Sequence, residues 1–108
     1  MYKVMLVDDE PFILDGLQKM LCWEEMGMEI AALCRDGQEA LEFLRKEKAD
    51  ILITDIKMPK LTGIELLRNL QEEDISVKTI ILSGFDDFEY IQQGVKLGIE
   101  NFLLKPVD

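Results

Sequence analysis

The feature that most limits the fold of this chain is a set of short apolar runs, each stopping on a charged residue. Val4-Met5-Leu6-Val7 stops on Asp8-Asp9, Ile51-Leu52-Ile53-Thr54 stops on Asp55, and Phe102-Leu103-Leu104 stops on Lys105. The apolar residues are continuous rather than alternating, as in strands covered on both faces. Such strands need a layer of helix on each side, so the segments between them should be helical.

The intervening sequence meets that demand. Strand one reads from Tyr2 to Val7, and Asp8-Asp9-Glu10-Pro11 breaks it. Pro11 suits a helix start, where the first N–H groups have no intrahelical partner. Leu14, Leu17 and Leu21 recur at helical spacing, and Gly27 falls in the following connection. Met28 to Cys34 reads as strand two. Asp36 with Glu39 has the spacing of a capping box, and Ala40, Leu41 and Leu44 give helix two one apolar face. Its end carries Arg45, Lys46 and Lys48, which suit the negative end of a helix dipole. Asp50 to Thr54 forms strand three, closing on Asp55, and Pro59 marks a turn. Thr62 and Glu65 set a second capping box, and Gly63, Leu66, Leu67 and Leu70 line helix three. Val77 to Leu82 is strand four, ending in Ser83-Gly84. Asp86 and Glu89 make a third box, Phe88, Ile91 and Val95 line helix four, and Gly98 stops it. Asn101 to Leu104 is strand five. Strands that alternate with helices predict a parallel sheet with right-handed crossovers, all strands ending on one edge.

At 108 residues and 48% hydrophobic content, the chain suits one packed domain. It has no apolar run near the roughly 18–20 residues of a membrane span, and no apolar stretch with a cleavage site of the signal-peptide kind. The expectation is a soluble cytoplasmic protein. The formal charge of −10 disfavours nucleic acid and anionic membrane as partners of this chain. The absence of histidine excludes a Ser-His-Asp triad, a His-ligated metal and a phosphohistidine within it. Cys22 and Cys34 read as packing thiols of a reducing compartment.

Ligands of such sheets bind at the edge where the strands end. Asp8, Asp9, Asp55, Ser83 and Lys105 all fall on that edge. Each aspartate alone fits a helix cap or a solvated loop end. Gathered on one edge, the carboxylates repel unless a cation sits among them. Lys105 supplies one positive charge, and hard oxygen ligands favour Mg²⁺ for more.

Asp8-Asp9-Glu10, Asp55-Ile-Lys-Met-Pro59 with Gly63, Ser83-Gly84 and Lys105-Pro106 resemble the marks of a response-regulator receiver domain of two-component signalling. The stretch Ser83-Gly-Phe-Asp-Asp-Phe-Glu-Tyr90, with Gly98 and Leu103-Leu104-Lys105-Pro106-Val107, resembles the receivers that precede AraC-type DNA-binding domains. The resemblance spans residues 1–108 and implies an α/β, flavodoxin-like (CheY-like) doubly wound sheet of order 2-1-3-4-5. It implies that Asp55 is the phosphoacceptor. Asp8, Asp9 and Asp55, with the backbone carbonyl of Lys57, would hold Mg²⁺. Ser83 would hydrogen-bond the phosphoryl group, and Lys105 would pair with it. Phe102 matches the family's switch aromatic, more often tyrosine, and lacks the hydroxyl; it equally fits an ordinary core phenylalanine. Lys57 and Phe85 match positions that tune dephosphorylation, or else are a solvated lysine and a loop aromatic. The Lys105-Pro106 bond is cis in the family. The implied partners are a sensor histidine kinase, a covalently linked DNA-binding output domain and a second copy in a homodimer.

Two other classes compete with a phosphorylation switch. An aspartate-nucleophile phosphohydrolase would place a second carboxylate two residues after its nucleophile, where this chain has Lys57. A phosphorylation-independent interaction module would not need Asp8, Asp9, Asp55, Ser83 and Lys105 together. A nucleotide- or flavin-binding domain is disfavoured because no Gly-rich phosphate loop follows strand one. The family's fifth helix is missing from a sequence that stops at Asp108, which leads us to expect part of one sheet face uncovered. An apolar patch of a few hundred Å² nears the limit for a monomer, so self-association and reduced stability are expected.

Overall fold

A computed structural model describes residues 1–84 and 87–104. The elements are β1 (Tyr2–Val7), α1 (Pro11–Met20), β2 (Met28–Cys34), α2 (Gly37–Lys46), β3 (Ile51–Asp55), α3 (Gly63–Glu72), β4 (Lys78–Ser83), α4 (Phe88–Lys96) and β5 (Asn101–Leu104). A single 3-10 turn, Glu24–Met26, leads into β2. All strands pair in parallel, in the order β2-β1-β3-β4-β5. The doubly wound architecture and strand order predicted from sequence are the ones observed.

The inner strands alternate between two cores, which explains their continuous apolar runs. Met5 and Val7 of β1 pack with α2 and α3 through Ala40, Leu41, Leu44, Leu66 and Leu70. Val4 and Leu6 face the other way, onto Ile13, Leu14 and Leu17 of α1 and the indole of Trp23. The Trp23 Nε1–H donates to the Leu17 carbonyl at 3.2 Å, so the ring is buried with its polar atom satisfied. Leu21 falls just past the end of α1 and is exposed; Ile13 completes that helix's buried face.

Helix starts follow the sequence signals unevenly. The Thr62 box forms in full: Glu65 N–H donates to Thr62 Oγ1 at 3.1 Å, and Thr62 N–H donates to Glu65 Oε1 at 3.0 Å. At α2 only half forms. Glu39 N–H donates to Asp36 Oδ1 at 2.8 Å, whereas the Glu39 carboxylate accepts from Arg35 N–H at 3.3 Å. The third box began at Asp86, which lies outside the described residues. Asp87 occupies the cap of α4 and makes no side-chain cap bond.

The apolar face of α4 is a correction. Phe88 and Val95 are 66% and 61% exposed, and the buried position is Gly94. The spacing of Phe88, Ile91 and Val95 is helical, yet the helix turns its glycine to the sheet. A Cβ on Gly94 would lie 2.8 Å from Ile81 Cδ1 and 3.2 Å from Ile99 Cδ1, so the missing side chain sets the approach. Tyr90, Ile91 and Leu97 then flank the contact against Ile81.

The α3 cap makes a stability prediction. Thr62→Ala should lower unfolding free energy by about 1 kcal/mol, the usual scale for a lost N-cap, read by urea denaturation at unchanged m-value. The Thr62 N–H holds the Glu65 carboxyl below its ordinary value of 4.5. A lowered folded-state pKa stabilises above the unfolded value and is lost as pH falls. The destabilisation caused by Glu65→Ala should therefore be full at pH 7 and shrink below about pH 4.5.

Candidate functional site

The strand order reverses between β1 and β3: the chain leaves β1 for β2 on one side and returns to β3 on the other. A crevice opens at the C-terminal ends of such a strand pair. Val7 lies opposite Thr54, so Asp8 and Asp55 leave the sheet side by side. Both carboxylates are buried, Asp8 at 0% and Asp55 at 6% exposure.

Local backbone holds each in place. The Glu10 N–H donates to Asp8 Oδ1 at 2.9 Å, and the Ile56 N–H donates to Asp55 Oδ1 at 2.8 Å. Thr54 Oγ1 donates to the Asp55 carbonyl at 2.9 Å, keeping the hydroxyl satisfied in the sheet. The Gly63 N–H donates to the Ile56 carbonyl at 2.7 Å, which brings the start of α3 against the Asp55 turn. A Cβ on Gly63 would collide with the Asp55 carbonyl oxygen, so only glycine permits that approach.

The carboxylates of Asp8, Asp9, Glu10 and Asp55 offer ligand oxygens that all lie within 4.8 Å of one another. The set is all oxygen, which suits a hard divalent cation. Three of the four carboxylates were expected from sequence; Glu10 joins them through the turn that its N–H makes onto Asp8. Asp8 and Asp55 are the buried members, and like charges this close repel, with a cation the usual relief.

Ser83 is fully buried at the end of β4, and its hydroxyl donates to the Leu103 carbonyl at 3.4 Å. It is therefore on the same edge as Asp55, whose partner on β4 is the preceding Leu82. Lys57 stands just beyond Asp55, its ammonium 3.3 Å from Asp87 Oδ1 and 5.9 Å from the Tyr90 ring centroid. Phe102 is 42% exposed on β5. Lys105, Pro106 and Phe85 lie outside the described residues, and with them the expected ion pair, the cis bond and the loop aromatic. Sequence reading missed Asp87, which the structure buries beside the site with Oδ2 accepting the Gly84 N–H at 2.6 Å. Its signal was an aspartate three residues past Gly84, a spacing at which Asp side chains reach back to turn amides.

Cys34 packs at the end of β2, where burial, helped by Glu39 and Asp36, pushes its thiol up to about 12. A thiol so raised stays protonated and unreactive at neutral pH. Among the described residues no helix is long and apolar enough to cross a membrane.

Comparison with known proteins agrees with this geometry. The family model described as the response regulator receiver domain matches residues 4–108. The chain is 42% identical over 106 residues to the uncharacterized transcriptional regulatory protein YesN of Bacillus subtilis, covering 98% of this chain and 29% of that protein. It is 39% identical to the transcriptional regulatory protein HptR of Staphylococcus aureus over 108 residues, 100% of this chain and 42% of the relative. It therefore spans less than half the length of these relatives. Among solved structures, the REC domain of AraT, a response regulator from Geobacillus stearothermophilus, superposes with a TM-score of 0.89 at 37% identity, over 99% of this chain and 83% of that one. A chain of the CheX–CheY–BeF3–Mg complex from Borrelia burgdorferi superposes with a TM-score of 0.86 at 29% identity, over 99% and 80% respectively. With the fold, the acidic crevice and these relatives in agreement, the chain belongs to the family of response regulator receiver domains.

Proposed function

We propose that this chain is the phosphoacceptor module of a two-component response regulator, with Asp55 as the acceptor. The observation that carries the reading is the burial of Asp55 beside Asp8 where the strand order reverses. A carboxylate oxygen of Asp55 attacks the donor's phosphorus, the bond from phosphorus to the leaving group breaks, and an aspartyl phosphate forms. With a sensor histidine kinase as donor, the broken bond is phosphorus–nitrogen and the imidazole keeps the electron pair. The chain has no histidine of its own, so that imidazole is the partner's. Water later takes the phosphoryl group and restores Asp55. The chain's own catalysis is confined to these two reactions of its acceptor.

Asp8, Asp9 and Asp55, with the backbone carbonyl of Lys57, would hold Mg²⁺, and the all-oxygen carboxylate group suits that ion. When bound, it would neutralise the negative charge that gathers between acceptor and phosphoryl oxygens. Ser83 exchanges its bond to the Leu103 carbonyl for one to a phosphoryl oxygen. That exchange frees β5 next to Phe102, whose ring acts by packing because it has no hydroxyl. Lys105 pairs with the phosphoryl group as a point charge.

The Borrelia burgdorferi relative, solved with BeF3 and Mg, supports the Mg²⁺ and phosphoryl roles by likeness. The transcriptional regulatory relatives, longer than this chain, support a linked DNA-binding output domain. A charge of −10 leaves DNA contact to that domain. A second copy of the chain and a cytoplasmic setting complete the reading.

Incubation with acetyl phosphate and Mg²⁺ should add one phosphoryl mass, seen by intact-mass spectrometry. The gain should vanish in Asp55→Asn and in chelator; a gain that survives either would refute the assignment. Asp9→Ala should weaken Mg²⁺ binding, whereas Lys105→Ala should leave it largely intact and impair the response to phosphate. A carboxylate attracts the metal and an ammonium repels it, so equal losses in metal titrations of the two variants would overturn that division.

A further inference from the structure

Asp87 has one hydrogen-bond donor and one ion-pair partner that the acidic cluster does not explain. Its carboxylate is 5% exposed. Oδ2 accepts the Gly84 N–H at 2.6 Å, and Oδ1 pairs with the Lys57 ammonium at 3.3 Å. The amide and the ammonium both stand on the rim of the crevice. Gly84 follows Ser83 at the end of β4, and Lys57 lies just past Asp55 at the end of the neighbouring β3.

A buried carboxylate persists only while donors compensate its lost hydration. Asp87 therefore draws Lys57 and the Gly84 amide toward itself. A phosphoryl group on Asp55 would bring nearly two negative charges and three acceptor oxygens to the same rim. It would draw on the same ammonium and the same amide. We propose that Asp87 is a positioning residue: it latches Lys57 and Gly84 in the unmodified site and opposes phosphoryl binding at Asp55. The proposal rests on Asp55 being the phosphoacceptor.

Beryllofluoride in excess Mg²⁺ mimics a phosphoryl group and needs no donor, so its affinity measures the competition directly. Isothermal titration would compare the wild-type chain with Asp87→Asn, Lys57→Gln and the double variant. Asn keeps an oxygen for the Gly84 amide and removes the charge that holds Lys57; Asp87→Ser does the same should Asn fail to fold. Affinity should rise about three- to tenfold in Asp87→Asn, the scale of one partly exposed ion pair. Most of that gain should disappear in the Lys57→Gln background. A gain of equal size in both backgrounds would mark it as general charge removal and overturn the latch. Unchanged or weaker affinity in Asp87→Asn would overturn it too, whatever the melting temperature. A wild-type chain that takes up no beryllofluoride, or an Asp55→Asn variant that does, would overturn the reading of Asp55 and the latch with it.

Discussion

Two buried carboxylates, Asp8 and Asp55, set side by side at the end of the sheet, are the constraint on which the site depends. Asp8 and Asp55 leave neighbouring strands at the same level, one residue past the Val7–Thr54 pair. In a low-dielectric crevice like charges interact far more strongly than in water. The chain tolerates them by giving each a backbone N–H, from Glu10 and Ile56 respectively. Those bonds fix the carboxylates in place, side by side on one edge of the sheet.

The surrounding elements serve that placement. Parallel pairing brings β1, β3 and β4 to one edge, and the reversal of strand order opens the crevice between the first two. Gly63 lets α3 begin directly against the Asp55 turn, and the Thr62–Glu65 box fixes that beginning. Gly94 brings α4 down onto Ile81, one residue before Leu82, the β4 partner of Asp55. Packing and site meet at Gly63, which lets α3 approach the sheet and whose N–H holds the turn that leads to Lys57.

Much of this was legible in the sequence because burial on both faces leaves a simple trace. The apolar run ending at Val7 located its strand correctly, and the runs around Asp55 and Ser83 missed the observed limits by one residue. The acids and hydroxyl at those ends fell on the shared edge as expected. What resisted reading was information that hydrophobicity does not carry. Gly94 is the most closely packed residue of α4, yet it adds nothing to an apolar pattern, so Phe88 and Val95 were assigned to a face that is exposed. Adjacent aspartates were equally ambiguous: spacing to Glu89 favoured Asp86 as a cap, and the reading passed over Asp87, which is buried against Gly84 and Lys57. Glu10 joined the acidic group through a turn that its own N–H makes onto Asp8, the two-residue reach of an Asp side chain, which an apolar pattern does not mark.

The crevice gathers carboxylates close enough to repel one another, and a divalent cation among them would ease that repulsion. Thermal melts of the wild-type chain and Asp8→Asn, each with chelator and with millimolar Mg²⁺, test it most directly. Asn keeps an oxygen for the Glu10 amide and removes one charge. The account predicts that Asp8→Asn melts higher than the wild type in chelator, and that Mg²⁺ raises the wild-type melt but leaves the variant's nearly unchanged. A variant that melts lower in chelator, and still gains as much from Mg²⁺ as the wild type, would contradict it.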